Sequence, residues 1–201
     1  FEKTDMQITL DVGVQQPEKV DVEVLKAVFP YGNITVNVVN DTIDEVNETV
    51  IVSMGVPTGA GQGTTNVHTL TITDDDAASV ADFSTATQSV AESVGSVTVT
   101  VSLDKISSFD VTVPYTVSGT AVNPADMDFS SGSIVISAGS LSNDTSFNVV
   151  DDSLYEADET VIVTMGVPTN GTAGSVTTQT VTITNNDTQP VVQFSSASQS
   201  V

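Results

Sequence analysis

The chain repeats itself, and the spacing of the repeat constrains the fold more than any other feature. Asn47–Thr58 reads NETVIVSMGVPT and Asp158–Thr169 reads DETVIVTMGVPT, 111 residues further on. The same offset relates Thr71-Ile72-Thr73 to Thr182-Ile183-Thr184, Phe83-Ser84 to Phe194-Ser195, and Gln88-Ser89-Val90 to Gln199-Ser200-Val201. A period of this length is far too long for a solenoid unit and matches a small independent domain. A chain of 201 residues is therefore expected to hold about two copies of one module. Each copy is long enough to bury a core without disulfides or structural metal.

Within a module the apolar period is two, and the residue types are Val, Ile and Thr, which favour strands. Ser96–Leu103 reads SVTVTVSL, with Val97, Val99, Val101 and Leu103 on one face. Asp110–Val117 reads DVTVPYTV, and its Pro114 suggests an edge or a bulge. Ser133–Ile136, Asp144–Val150, Glu159–Met165 and Thr177–Thr184 continue the series, separated by Gly, Asn, Asp and Ser clusters. About seven short strands at this spacing predict an all-β fold, a seven-stranded antiparallel immunoglobulin-like β-sandwich. Its core would come from Val97, Val99, Val101, Val111, Val113, Ile134, Ile136, Phe147, Val149, Val161, Val163, Val181 and Ile183. With no Cys and no Trp, it is not a disulfide-pinned antibody-type domain.

The repeat divides the chain into residues 1–76, a first module; 77–187, a second and complete module; and 188–201, a further copy of the opening strand. Val192–Val201 repeats Ala81–Val90. Phe1-Glu2 reads like the residues that follow that strand, so the first module is expected to lack it. The first module is also shorter, and the sequence assigns the loss to one loop, the counterpart of Ser118–Ser133. An orphan opening strand beside a module that lacks one suggests donation to a neighbouring copy, giving head-to-tail assembly. Continuation into further repeats is the alternative.

Charge excludes some functions. Asp and Glu number 26 against four Lys and no Arg, a formal net charge of −22. Such a polyanion repels phosphate backbones, so nucleic acid is not an expected partner. Disorder does not fit, because 39% of residues are hydrophobic and they alternate in an ordered way. No apolar run is long enough to span a membrane, and no segment reads as a signal peptide.

The carboxylates cluster at matching positions in both repeats. Asp151-Asp152-Ser153-Leu154-Tyr155-Glu156-Ala157-Asp158-Glu159 corresponds to Asn40-Asp41-Thr42-Ile43-Asp44-Glu45-Val46-Asn47-Glu48. Asp74-Asp75-Asp76 follows the last strand of the first repeat and corresponds to Asn185-Asn186-Asp187. Glu92 follows the opening strand, with Glu2 read as its equivalent, and Asp126 and Asp128 lie in the loop after Gly119-Thr120-Ala121. Antiparallel strands return such loops to one end of a sandwich. Carboxylates about 4 Å apart repel by roughly 1 kcal/mol per pair even in water, so convergence calls for a cation. Ca²⁺ takes about six to eight oxygen ligands in flexible geometry. Transition metals prefer His or Cys; there is no Cys, and the one His, His68, is expected to be structural.

These segments resemble the Calx-beta domain, a module first recognised in sodium–calcium exchangers and common in large bacterial surface proteins. The matching pieces are FSTATQSVAESVGSVTVTVSL, VPYTVSGTAVNPADMDF, the DDSLYEADET loop, and the closing VTITNND or LTITDDD. The resemblance implies calcium ligands at Glu92, Asp126, Asp151, Asp152, Glu156, Glu159 and Asp187 in the second repeat. In the first it implies Glu2, Asp41, Glu45, Glu48, Asp74, Asp75 and Asp76. Asn185, Asn186 and Asn40 stand where acids are usual. The resemblance further implies an extracellular or cell-surface location.

The expected function is a non-enzymatic, calcium-binding structural module of a repetitive extracellular protein. It would serve as an adhesin stalk or filament subunit, with further copies of itself and a cell-surface or matrix ligand as partners. The alternative is a regulatory calcium-sensing domain pair of a larger membrane protein. Paired carboxylates occur in glycosidases, but ten aromatic residues without Trp are too few to line a sugar cleft.

Overall fold

A computed structural model describes residues 8–12, 21–23, 34–59 and 61–200. The chain divides into two compact units, Phe1–Ala77 and Ala78–Val201. In unit 1 the strands are β1 (Ile8–Val12), β2 (Asp21–Glu23), β3 (Thr35–Asn37), β4 (Glu48–Met54) and β5 (Val67–Ile72). In unit 2 they are β6 (Val80–Phe83), β7 (Thr87–Ala91), β8 (Ser96–Leu103), β9 (Val111–Gly119), β10 (Gly132–Ile136), β11 (Ser142–Asn148), β12 (Glu159–Met165), β13 (Thr172–Ala173) and β14 (Thr178–Thr184). A 3-10 turn, Glu92–Val94, follows β7. No helix among the described residues is long and apolar enough to cross a membrane.

Unit 2 is a two-layer sandwich. One sheet runs β10-β9-β12-β14-β7 and the other β11-β8-β6-β13. Alternating side chains from both sheets meet in one core, as two packed pleated faces require. All thirteen residues expected in that core are buried there. Ala81, Phe83, Tyr115, Met127, Phe129 and Met165 join them. Tyr115, Phe129 and Phe147 stack in sequence, with ring centroids 5.4 and 4.6 Å apart.

One feature differs from the sequence expectation, and Pro114 takes the second of its two expected settings, a bulge. The opening strand is not one element. It breaks after Phe83, and its halves join different sheets: β6 pairs with β8, and β7 runs parallel to β14. The sandwich is therefore not wholly antiparallel, and β13 also pairs in parallel with β6. Pro114 is not on an edge, since β9 is flanked by β10 and β12. Its carbonyl accepts from Gly166 at 2.8 Å, and pairing resumes at Thr112 with Thr169. Val167 and Pro168 bulge out between these contacts, on the side where the proline lacks an N–H.

In unit 1, β1, β4 and β5 form one antiparallel sheet and β2 and β3 another. Ile8 pairs with Met54 and Val12 with Val50, as Tyr115 pairs with Met165 and Gly119 with Val161. So β1 takes the place of the end of β9. Asp21 pairs with Asn37, as Asp128 hydrogen-bonds Asn148. The loop assigned as missing is therefore present in the sequence. The stretch from Val12 to Thr35 is only four residues shorter than that from Gly119 to Ser146.

Residues 188–200 belong to no strand. Val191, Val192 and Phe194 are exposed, although Phe83, the counterpart of Phe194, is buried.

Candidate metal centre

Four stretches of unit 2 meet at one end of the sandwich. The turn after β7 brings Glu92, the loop after β9 brings Asp126, the β11–β12 loop brings Asp152 and Glu156, and the segment after β14 brings Asp187. Glu159 opens β12 beside them.

The loop after β9 is fixed by backbone. Gly119 has φ +129°, and a Cβ there would lie 2.1 Å from the Thr160 carbonyl oxygen. That close approach lets the amides of Thr120 and Ala121 both donate to the same carbonyl, at 2.9 and 3.1 Å. The chain then turns, with Val122 N donating to Asp126 Oδ2 at 2.5 Å. It zips onto the end of β11: Val150 N donates to Asp126 O at 2.9 Å, and Met127 bridges Val149. Asp128 accepts from the backbone and side-chain amides of Asn148, and those two donors hold its carboxyl below the usual range. Asp128 is thus part of the joint.

The β11–β12 loop carries its own turn. Leu154 N donates to Asp152 Oδ1 at 2.6 Å, and in unit 1 Ile43 N donates to Asp41 Oδ1 at 2.8 Å. This is an Asx turn, in which the side chain accepts from the backbone two residues on.

Glu92, Asp152 and Glu156 each offer a carboxylate oxygen within 4.8 Å of the others, the one such trio among the described residues. Glu92 is only 7% exposed, and its buried Oε2 has no hydrogen-bond partner. Burial first, then the charges of Asp152 and Asp187, push the Glu92 carboxyl above its ordinary range, against the pull of the Asp152 and Asn186 amides. Glu159 is pushed up to about 7 by burial, by a hydrogen bond with Asp126, and by the charges of Asp126, Glu156 and Glu92. Asp187 Oδ2 is also buried without a partner. A small cavity between these groups is lined by Glu92, Asp126, Val150, Glu156, Ala157, Glu159, Ile183 and Asn185.

Six of the seven expected residues of unit 2 thus face one another. Asp151 is turned to Asn186, whose Nδ2 donates to Asp151 Oδ1 at 2.9 Å. In unit 1, Asp41, Glu45, Glu48 and Asp74–Asp76 are half-buried, apart from exposed Asp75, and Glu48 Oε2 is buried without a partner. Glu2 lies outside the described residues. In sequence, the offset that relates β1 to the end of β9 matches Glu18 and Lys19, also outside the described residues, to Ala125 and Asp126. Pro17 level with Pro124 was the sequence signal for that alignment.

The Calx-beta domain family model matches residues 74–189, more than half of the chain. The chain belongs to the Calx-beta domain family. A second family model, for a conserved hypothetical protein (Lin0512_fam), matches residues 1–67, about a third of the chain. No curated protein matches. Among solved structures, the apo form of the Calx CBD1 domain is similar with a TM-score of 0.51 and 24% identity, over 55% of this chain and all of that one. The Calx CBD2 domain reaches a TM-score of 0.49 at 19% identity, over 53% of this chain and 86% of that one. CBD12 from CALX1.2 reaches 0.49 at 17%, over 89% of this chain and 87% of that one. At these identities the first likeness speaks for the fold of the Calx-beta unit.

Proposed function

We propose that unit 2 binds Ca²⁺ through Glu92, Asp152 and Glu156, with Asp187, Asp126 and Glu159 around them. The observation that carries this reading is Glu92 Oε2, buried and without a hydrogen-bond partner. An ionised carboxylate oxygen so placed costs stability unless a cation or proton meets it. The donors are all hard oxygens, which suits Ca²⁺. Ligands about 2.3–2.6 Å from one ion lie up to about 5 Å apart, and the trio falls within that spread. A bound ion would supply positive charge where at least five carboxylates converge. The chain's own part is to hold those oxygens on four backbone-fixed stretches.

On this reading the protein is a non-enzymatic, calcium-stiffened segment of an extracellular repetitive protein, a stalk or filament subunit. Support comes from the 111-residue tandem repeat and from an acidic surface that leaves calcium as the natural counterion. Head-to-tail joining through residues 192–201 belongs to the same proposal. The register limits it: residues 198–200 could pair with β5 as β7 pairs with β14, but no described strand of unit 1 takes the place of β8.

Thermal melts test the calcium reading. Calcium at 100 times its dissociation constant adds about 2.7 kcal/mol, a rise on the order of 10 °C for a domain of this size. Glu92→Gln should lose most of that rise. Identical melts of the wild type in calcium and in chelator would leave the cluster as surface charge.

A further inference from the structure

The two units place acid and amide differently at matching positions. In unit 2, Asn186 Nδ2 donates to Asp151 Oδ1 at 2.9 Å. The counterparts in unit 1, 111 residues earlier, are Asp75 and Asn40. Acid and amide have changed places. A second exchange lies beside the first. Asn185 N donates to Asp158 Oδ1 at 3.2 Å in unit 2, and Asp74 N donates to Asn47 Oδ1 at 3.0 Å in unit 1. Each unit keeps one carboxylate and one carboxamide at each pair of positions.

Chemistry accounts for the exchange. An ionised carboxylate only accepts, while a carboxamide donates and accepts. One of each forms a charge-assisted hydrogen bond unaided. Two carboxylates cannot, and they repel until a cation or a proton intervenes. At Asp158 and Asn47 the donor is backbone, so either residue supplies the acceptor oxygen that is needed. The Asp151–Asn186 pair therefore holds together without metal, whereas no such hydrogen bond joins Asn40 and Asp75 in unit 1; at the second pair of positions the acceptor is interchangeable.

We propose that Asp151 and Asn186 form a cation-independent clasp holding the segment after β14 to the β11–β12 loop, and that Asp151 is a positioning residue instead of a calcium ligand. The clasp flanks the cradle on both sides. Asp152 follows Asp151 in the chain and Asp187 follows Asn186, and both act on Glu92. Fixing 151 to 186 fixes the separation of those two acids before any ion arrives. The clasp stands on its own geometry. The exclusion of Asp151 from the ligand set rests on the calcium reading.

The test uses the full chain with Asp151→Asn, Asp152→Asn, Asn186→Asp, and the exchange of Asp151→Asn with Asn186→Asp, which installs the unit 1 arrangement. In chelator, Asn186→Asp should lower the unit 2 melting temperature by about 4 °C or more, and the exchange should return it close to wild type. In calorimetric calcium titrations, Asp151→Asn should change affinity less than about threefold, while Asp152→Asn weakens it at least tenfold. An exchange variant that melts as low as Asn186→Asp would overturn the clasp. Equal loss of calcium affinity in Asp151→Asn and Asp152→Asn would make Asp151 a ligand. If the wild type took up no calcium, the calcium reading and the ligand assignment would fall together, and the chelator melts would still decide the clasp.

Discussion

Glu159 and Glu92 show how single carboxyls set the character of the metal-binding end. Both are held above their ordinary range, Glu159 to about 7. Between pH 4.5 and 7 the folded protein therefore keeps protons that the unfolded chain has released. Stability from these groups is fully present below about pH 4.5 and is lost as pH rises through about 7. Asp128 has the opposite sign, but its contribution is lost only below its ordinary value of 3.8, outside this window. In chelator the melting temperature of unit 2 should be higher at pH 5 than at pH 7.5. Saturating calcium competes with those protons and should shrink or reverse the difference. A chelator melt that rises with pH across this window would contradict the raised carboxyls. Glu159→Gln should raise the chelator melt at pH 7.5 and weaken calcium binding, because neutralising this group relieves repulsion and removes an oxygen anion together. The acids of DDSLYEADET marked half of this cluster from sequence, Asp152, Glu156 and Glu159. The burial of Glu92 was not legible, because it depends on how a 3-10 turn folds under two loops distant in the chain. The withdrawal of Asp151 was not legible either, because it depends on Asn186, 35 residues away.

Among the elements, period-two alternation in SVTVTVSL and ETVIVTM identified the inward faces of β8 and β12, because a strand buried on one side has little freedom in which residues face the core. The same rule misled at Ala81–Val90. The small residues Ser84, Thr85 and Ala86 carry little facing preference, so nothing in the pattern shows that the strand changes sheets there. In unit 1 the gapless offset concealed a second alignment, in which Pro17 and Asp21 match Pro124 and Asp128 only after a four-residue shift. Pairing of β1 with β4 settles it, since a register fixes which residues are opposite, whatever their identity. Gly119 is the element-scale residue with the least latitude. Its φ of +129° and the Thr160 carbonyl, 2.1 Å from where a Cβ would sit, leave no room for a side chain. Gly119→Ala should cost unit 2 at least about 2 kcal/mol, read from urea unfolding. It should also weaken calcium binding, by misplacing Asp126. A loss under about 0.5 kcal/mol would mean that the β9 end can shift freely.

At the scale of the whole molecule, the 111-residue spacing leads to the expectation of two modules, and the Calx-beta family model covers residues 74–189. Residues 190–200 are unpaired and largely exposed, so truncation after Gln189 should leave the unit 2 melt within about 1 °C of the intact chain. A clear loss would mean that the segment packs on its own unit. The parallel pairing of β7 with β14 has a further consequence. These strands lie near the two ends of the unit's chain, five residue pairs side by side from Thr87 with Thr180 to Ala91 with Thr184. Tension applied through residues flanking the unit would draw β7 backward and β14 forward along their common axis. The ladder would then be loaded in shear, its hydrogen bonds yielding together instead of unzipping one by one. A unit joined to its neighbours through such strands would resist stretching more than its equilibrium stability suggests.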